Sequence, residues 1–394
     1  MKEKKLNIIM FNMSTYSDWE YGISNRNRHI LKTLLKSDEV GRVVAIDYLP
    51  WTWPKVVKQY VYSYLPSLNK HEKVYKSAFT SVRQYDNKLT VISSVANYFS
   101  KKLFWSELKK IIKDLDLDDY IVWSYNPIIT EYFKELDAKA YIFDAVDDWS
   151  IHPSYQIIKN RLQNNYALIA EKSDIVFTVA KELGRKFGEQ KTFWVPNGID
   201  LAHYTKKYNL MDRRIADIPK PIIGYIGIIL GRLDADIVTY LAKHNPNKSI
   251  VLAGSYKGKL KHWDKKLIEE LQSYSNIHLL GYIPYSKAPM YIDQFDVAII
   301  PHKADTYVAS TNPMKMYEYL ACGRPVVATP APGIDMFTDI QVASTPDEFN
   351  EAVLKELGNN TEDKEKARVE LVRDHTWTIR VNKMLDIIKT NVRY

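Results

Sequence analysis

The segment Asn312-Pro-Met-Lys-Met-Tyr-Glu-Tyr-Leu-Ala-Cys-Gly-Arg-Pro-Val-Val-Ala-Thr329 places a cation and a carboxylate three residues apart at the start of an expected helix. Asn312 suits an N-cap and Pro313 the first helical position. The amides of Met314 and Lys315 then have no helical carbonyl to bond and lie at the positive end of the helix dipole. That end favours an anion such as a diphosphate. Lys315 adds a mobile positive charge. Glu318 falls on the same helix face, and its two oxygens can accept both hydroxyls of a ribose. A phosphate site beside a diol acceptor is the layout of a nucleotide-sugar pocket. The same residues also fit a surface Lys–Glu pair contributing roughly 0.2–0.5 kcal/mol, and the chemistry alone does not separate the two.

Other chemistry-bearing clusters lie in the first half. Asp144, Asp147 and Asp148 follow an apparent strand, and neighbouring carboxylates can raise one another's pKa and serve as acid or base. Capping of the following helix would explain them equally well. Gly22, with Asn25, Arg26, Arg28 and His29, precedes or opens the first helix, where a loop can approach a phosphate or an acceptor; a core-facing His29 is the alternative. Asp234-Ala-Asp236 has a metal–diphosphate form, yet Asp234 also suits the N-cap of the next helix. The nine His residues are scattered and the single Cys322 forms no multi-cysteine site, so no metal is expected. No P-loop or G-x-S-x-G occurs.

Short apolar runs alternate with helical stretches throughout. Strands are expected at Leu6–Phe11, Arg42–Tyr48, Leu89–Ser93, Tyr120–Trp123, Ala140–Asp144, Asp174–Val179 and Thr192–Val195, with helices at Ser24–Lys36, Ser154–Lys172 and Lys181–Phe187. The Asn-Gly of Val195-Pro-Asn-Gly-Ile-Asp200 marks a turn, and the polar stretch to Pro219 reads as a linker. A second alternation has strands at Ile222–Gly227, Ser249–Ala253, Ile277–Leu280, Val297–Ile300 and Pro325–Ala328, and helices at Leu233–Lys243, Lys261–Ser273, Pro313–Ala321 and Pro346–Glu356. This is an α/β chain with two Rossmann-like, doubly wound domains, expected to face a central cleft. The expected division is 1–200, 201–375 and a C-terminal helix over 376–394 that returns to the first domain. Only Gly22 and Gly41 precede residue 184, so the first domain has no G-x-G-x-x-G loop.

The net charge of +8 is concentrated: residues 51–113 hold twelve Lys/Arg against three Asp/Glu, with twelve aromatics that include Trp51, Trp53, Tyr60, Tyr62, Tyr64, Phe104 and Trp105. Basic residues interleaved with Trp and Tyr suit an anionic membrane surface; a solvated helix face over ordinary core aromatics is the alternative. No nucleic-acid-binding motif is present. No run of about 18 apolar residues signals a membrane span, and the location expected is cytoplasmic, peripheral on the inner membrane face.

The Asn312–Thr329 stretch resembles the donor-site helix of GT-B glycosyltransferases, particularly retaining family 4. Val195-Pro-Asn-Gly-Ile-Asp200 resembles the inter-domain turn of that family, and Ile277-His-Leu-Leu-Gly-Tyr-Ile-Pro284 with Phe295-Asp-Val-Ala-Ile-Ile-Pro301 matches as well. The resemblance covers roughly residues 195–330 well and the N-terminal half loosely. It implies a nucleoside diphosphate sugar donor, with Tyr282 and Ile283 contacting the base through their backbone and Glu318 holding the ribose. Gly227, Thr311, Asn312, Met314 and Lys315 complete the implied donor site. Lys315, Arg232 and Asp147 are the implied catalytic residues, with Gly22, Arg28, His29 and Asp148 on the acceptor side. The family's second acid, eight residues before the ribose carboxylate, is here Ser310. Its diphosphate-holding Arg and Lys after the first strand of the second domain leave only Arg232. The subgroup most resembled is bacterial surface-polysaccharide synthesis, of the teichuronic acid type, with a saccharide or lipid-linked acceptor. Retention of anomeric configuration comes from the resemblance alone. A nucleotide-sugar 2-epimerase and a non-catalytic nucleotide-sugar-binding subunit are the rival expectations.

Overall fold

Runs of Ile, Val and Ala between amphipathic helices build two separate parallel sheets. A computed structural model of the chain describes residues 5–392 apart from 49–51, 65–71, 207, 209–211, 230, 257–261 and 304. The chain divides into two compact units, residues 1–195 with 381–394, and residues 196–380.

The first unit holds β1 (Leu6–Phe11), β2 (Val40–Asp47), β3 (Glu72–Lys76), β4 (Thr80–Gln84), β5 (Leu89–Ser94), β6 (Tyr120–Ser124), β7 (Tyr141–Ala145), β8 (Ile175–Thr178) and β9 (Thr192–Trp194). They form one sheet in the order β3-β4-β5-β2-β1-β6-β7-β8-β9. Its ladders are parallel except β3–β4 and β4–β5. The apolar strands occur where the sequence places them. The β3–β4 hairpin was not expected, because Glu-Lys-Val-Tyr-Lys carries too much charge for a buried strand; it sits at the sheet edge, where charge discourages further pairing.

The second unit holds β10 (Ile222–Ile226), β11 (Ser249–Ala253), β12 (Ile277–Gly281), β13 (Val297–Ile300), β14 (Val326–Ala328) and β15 (Ile340–Val342). Their order is β12-β11-β10-β13-β14-β15, parallel throughout. Each face of this sheet is covered: Ile222 and Ile226 of β10 enter one core and Ile223 and Tyr225 the other, the alternation that puts successive side chains on opposite faces. The stretch read as a linker carries the short helices Leu201–Tyr204 and Arg213–Ala216, and Ile199, Tyr204 and Ile215 join the core of this unit.

Two expectations from sequence are corrected. Asn312 does not cap the following helix. The helix runs Met314–Ala321 with Pro313 at the cap, because the Asn312 side chain is used elsewhere. Its oxygen accepts from the Asn197 amide at 2.9 Å and the Tyr317 hydroxyl at 3.2 Å, and its nitrogen donates to the Pro332 carbonyl at 3.1 Å. Asn312 thereby ties the Pro-Asn-Gly turn to the helix start. Phe104 and Trp105 are not surface anchors. They belong to the buried stripe Phe104, Trp105, Leu108, Ile111 and Ile112 of the helix Lys101–Asp114. Trp51 lies outside the described residues. Asp234 does cap its helix, accepting from the amides of Asp236 and Ile237.

Candidate functional site

The strand order of the second sheet reverses direction between β10 and β13, and ligands of open parallel sheets bind beyond the carboxyl ends of strands at such a point. Here β10 ends at Gly227, in a backbone conformation with φ of +152°. A Cβ at this residue would lie 2.2 Å from Lys315 Cε and 2.6 Å from Lys315 Nζ. The lysine side chain is thus laid directly across the end of β10, and only glycine leaves room for it. Gly254, after β11, is as constrained: its Cβ would meet the Gly227 carbonyl oxygen at 1.7 Å.

Lys315 stands 5.4 Å above the ring of Tyr225. The Tyr225 hydroxyl donates to the Ile228 carbonyl at 2.8 Å and lies 3.5 Å from His302 Nε2. His302 follows β13 through Pro301 and is fixed by its own backbone: its amide donates to Thr329 Oγ1 at 3.0 Å, and that hydroxyl donates back to the His302 carbonyl at 2.7 Å. Burial, with Lys315 and Arg232 nearby, pushes the His302 pKa down to about 3. The imidazole is therefore neutral across the physiological range. Burial also lowers the Lys315 pKa to about 8, opposed by Glu318 and assisted by Arg232. Arg232 packs its guanidinium 4.9 Å from the Tyr307 ring centre and hydrogen-bonds the Tyr307 hydroxyl.

Glu318 lies on the next turn of the helix. Burial raises its pKa, while Lys315 and a hydrogen bond from Tyr204 lower it. Tyr204 is held in turn by the Cys322 thiol, which approaches its carbonyl at 3.4 Å, and by edge-on packing against Tyr285. His203 stacks on Tyr285 with ring centres 4.4 Å apart and lies 3.0 Å from the Tyr285 carbonyl. Gly281 closes β12 with φ of +74°, and after it Tyr282 is exposed and Ile283 is buried. The Tyr282 carbonyl lies 3.4 Å from Arg214 Nη1. Thr311 is buried and its hydroxyl donates to the Val308 carbonyl at 2.8 Å.

The electrostatic sense of this arrangement is clear. Two cations stand together at a helix N-terminus beside a neutral imidazole, and Arg232 lowers the Lys315 pKa. Such like-charge crowding is relieved by an anion bound between them, and perturbed groups of this kind mark functional sites. Gly227, Arg232, Lys315 and Glu318 are brought together. Tyr225, His302, Tyr204 and Gly254 are further members that the sequence did not single out. Their signals were faint: a polar residue just past a strand end for His302, a tyrosine inside an otherwise aliphatic strand for Tyr225.

In Gly227→Ala we expect a cost of about 1–3 kcal/mol from backbone strain, together with weaker nucleotide binding because Lys315 must move. Thermal denaturation and calorimetric titration of the variant check both, and unchanged nucleotide affinity would separate Lys315 from the phosphates.

In the first unit the three aspartates have different surroundings. Asp144 is fully buried and pairs with Arg26 Nε at 2.9 Å. Asp148 is buried, pairs with Lys186 and accepts from the Ser150 amide at 3.0 Å. Asp147 is half-buried, and its charge raises the Tyr155 pKa after burial has done so. None of the three caps the helical stretch that follows; His152 and Ile158 hold those positions. Gly22 has φ of +97°. His29 is buried with Nε2 2.7 Å from Ser24 Oγ, and Arg28 Nη1 approaches the same hydroxyl at 3.5 Å. At the carboxyl ends of β1 and β2 a third buried carboxyl, Asp47, accepts from Asn12 at 3.1 Å and from the Tyr16 amide at 2.9 Å. Burial lifts its pKa to about 7.

Residues 229–359 match the family described as "Glycosyl transferases group 1". In sequence, the chain is 27% identical over 208 residues to the "Putative teichuronic acid biosynthesis glycosyltransferase TuaH" of Bacillus subtilis (strain 168), a match covering 50% of this chain and 51% of the relative. The chain thus spans about half the length of this curated relative. In structure, it is similar to a UDP-forming alpha,alpha-trehalose-phosphate synthase from Burkholderia vietnamiensis, with a TM-score of 0.70, 10% identity and 99% of each chain covered. It is also similar to the sucrose-phosphate synthase of Thermosynechococcus elongatus, with a TM-score of 0.68, 12% identity and 98% and 99% covered. Anabaena HepE in complex with UDP and glucose gives a TM-score of 0.65, 12% identity and 98% and 100% covered. At these identities the structural likeness establishes the fold.

Proposed function

From a chain whose residues 229–359 form a glycosyltransferase group 1 domain on a GT-B fold, we infer that it transfers a sugar from a nucleoside diphosphate donor to a saccharide or lipid-linked acceptor in bacterial surface-polysaccharide synthesis. The observation that carries this reading is Lys315 laid over Gly227 at the switch point of the second sheet, with Arg232 beside it and Glu318 one helical turn on. The diphosphate occupies the space between the two cations and the first amides of the helix Met314–Ala321. The ribose meets Glu318, whose carboxylate Tyr204 orients. The backbone at Tyr282 and Ile283 takes the base.

Catalysis in this reading is stabilisation of the departing diphosphate as negative charge develops on it. Lys315 and Arg232 are charged at neutral pH and supply that stabilisation with the helix amides, and the scheme invokes no metal. His302, being neutral, adds no charge; it holds Tyr225 beneath the lysine. Retention of the anomeric configuration is part of the proposal and rests on the resemblance to retaining family 4. The relative's involvement in teichuronic acid biosynthesis supports a cell-envelope acceptor.

Release of nucleoside diphosphate, followed with and without saccharide and lipid-linked acceptors, tests the reaction class. Acceptor-dependent release is expected. Release without acceptor would indicate an epimerase, and binding with no release under any condition would indicate a binding subunit. Asp147→Asn keeps size and removes charge. It is expected to leave donor affinity near the parent value and to lower transfer by about a hundredfold, the lower end of the range for a lost acid or base. Full transfer activity would remove Asp147 from the reacting centre.

A further inference from the structure

We propose that the outer face of the helix Trp53–Tyr64, with the neighbouring Tyr98 and Phe99, docks the first unit on an anionic lipid surface. The helix buries a mixed face and exposes an apolar one. Val56, Gln59, Tyr62 and Ser63 are buried, Val56 against Val95 and Phe79. Trp53, Val57, Tyr60 and Val61, spaced i, i+4, i+7 and i+8, form a second stripe that is exposed, Trp53 by 60%. A helix needs one face to fold onto a sheet; among the described residues the second stripe is left exposed.

The stripe continues beyond the helix. The Trp53 ring centre is 6.2 Å from that of Tyr98, which is 5.1 Å from Phe99, and both of these are exposed. On the other side exposed Tyr21 packs 6.3 Å from Tyr62, with exposed Ile23 two residues on. Among the described residues, six of the sixteen exposed large hydrophobics are Trp53, Val57, Tyr60 and Val61 of the helix and the adjoining Tyr98 and Phe99. Scattered exposed hydrophobics are ordinary, but a cluster on this scale marks a binding surface.

Charge selects the partner. Residues 51–71 contain no Asp or Glu. Lys55 and Lys58 rise from the helix itself, and Lys101 and Lys102 stand beside Phe99, all exposed. The segment 51–113 has nine positive charges in excess in its own sequence, and three of its lysines, Lys58, Lys101 and Lys109, pair with Asp18, Glu131 and Glu135 outside it. Lysines flanking aromatics can lay their stems along the acyl boundary and leave their ammonium groups among phosphates. The exposed stripe belongs to a single helix, and fluid lipid adapts to such a ridge without a preformed complementary surface. A protein partner would have to match about 800 Å² of it. The aliphatic Val57 and Val61 have no role against nucleic acid.

This inference deepens the reading of a lipid-linked acceptor and rests on it for its purpose only, because lipid binding is measured without donor, acceptor or turnover. The full chain is sedimented with phosphatidylcholine vesicles, with and without phosphatidylglycerol, at low and high salt. Binding is expected to the anionic vesicles, to fall as salt shortens the Debye length, and to be at least roughly tenfold weaker to neutral vesicles. The pairs Trp53→Ser/Phe99→Ser and Lys55→Glu/Lys102→Glu should each lose binding while keeping the parent circular dichroism and nucleotide affinity. Absence of binding at low salt, or binding by both variants at the parent level, overturns the proposal. So does a lipid-free self-association that the same substitutions abolish, which would make the face a contact between copies of the chain.

Discussion

Glu318→Ala is expected to weaken nucleotide binding by about 1.5–3 kcal/mol, roughly ten- to 150-fold in Kd. The ribose hydroxyls lose a charge-assisted acceptor, while the loss of the partner of the buried Tyr204 hydroxyl lowers the stability of the variant with or without nucleotide. A 2′,3′-dideoxyribose nucleotide, which never used the carboxylate, should bind parent and variant with nearly equal affinity. Calorimetric titration of both nucleotides with both proteins gives the answer. Unchanged affinity for the ribonucleotide in a folded variant would take Glu318 out of the site.

Lys315→Ala is expected to lower kcat by about a hundredfold or more, the loss typical when a group aimed at developing charge is removed. Because that charge matters most as the diphosphate departs, the fall in kcat should exceed the rise in KM. A rise in KM alone would leave Lys315 with ground-state binding only. The lysine also predicts a pH dependence. Its pKa of about 8 lies below the usual lysine value, so in the free protein it is cationic below pH 8 and loses its proton above. A bound diphosphate favours the charged form and raises the pKa. Donor affinity should therefore be constant below about pH 8, fall as pH rises through 8, and be accompanied near that pH by proton uptake on binding. The sign for stability runs the other way. Between the folded pKa and the higher unfolded one, the unfolded chain binds more protons, so rising pH through this window relieves the burial cost and stabilises the free protein. Both limbs should vanish in the alanine variant. His302, with its pKa near 3, contributes no titration in this range.

Much of this was legible in the sequence because it is local. Leu6–Phe11 and Val297–Ile300 are short apolar runs bounded by polar residues, and they are strands as read. The spacing of Lys315 and Glu318 already put them on one helix face. What escaped depends on contacts between distant parts of the chain. Tyr225 and His302 meet 77 residues apart, and Arg26 meets Asp144 at a separation of 118. Tyr204 reaches Glu318 only after the turn at Pro196–Asp200 has folded back, and nothing local to either residue announces it. Asn312 fits a capping pattern, yet the distant Asn197 competes for its side chain and wins. The basic segment shows the same limit. Its charge excess could be counted from sequence, but which aromatics face outward is decided by helix phase against the sheet. Phe104 and Trp105 turn inward while Trp53 and Phe99 turn out.

The central claim is that the second unit binds a nucleoside diphosphate sugar at the end of β10. Thermal denaturation of the full chain with UDP, GDP, dTDP and CMP sugars in turn tests it most directly, since a ligand of the folded state stabilises it by RT ln(1 + [L]/Kd). A sugar of one nucleoside diphosphate is expected to raise Tm in a saturable way, and Lys315→Ala and Glu318→Ala are each expected to diminish the shift. No shift with any of the diphosphate sugars, or an undiminished shift in both variants, would contradict it.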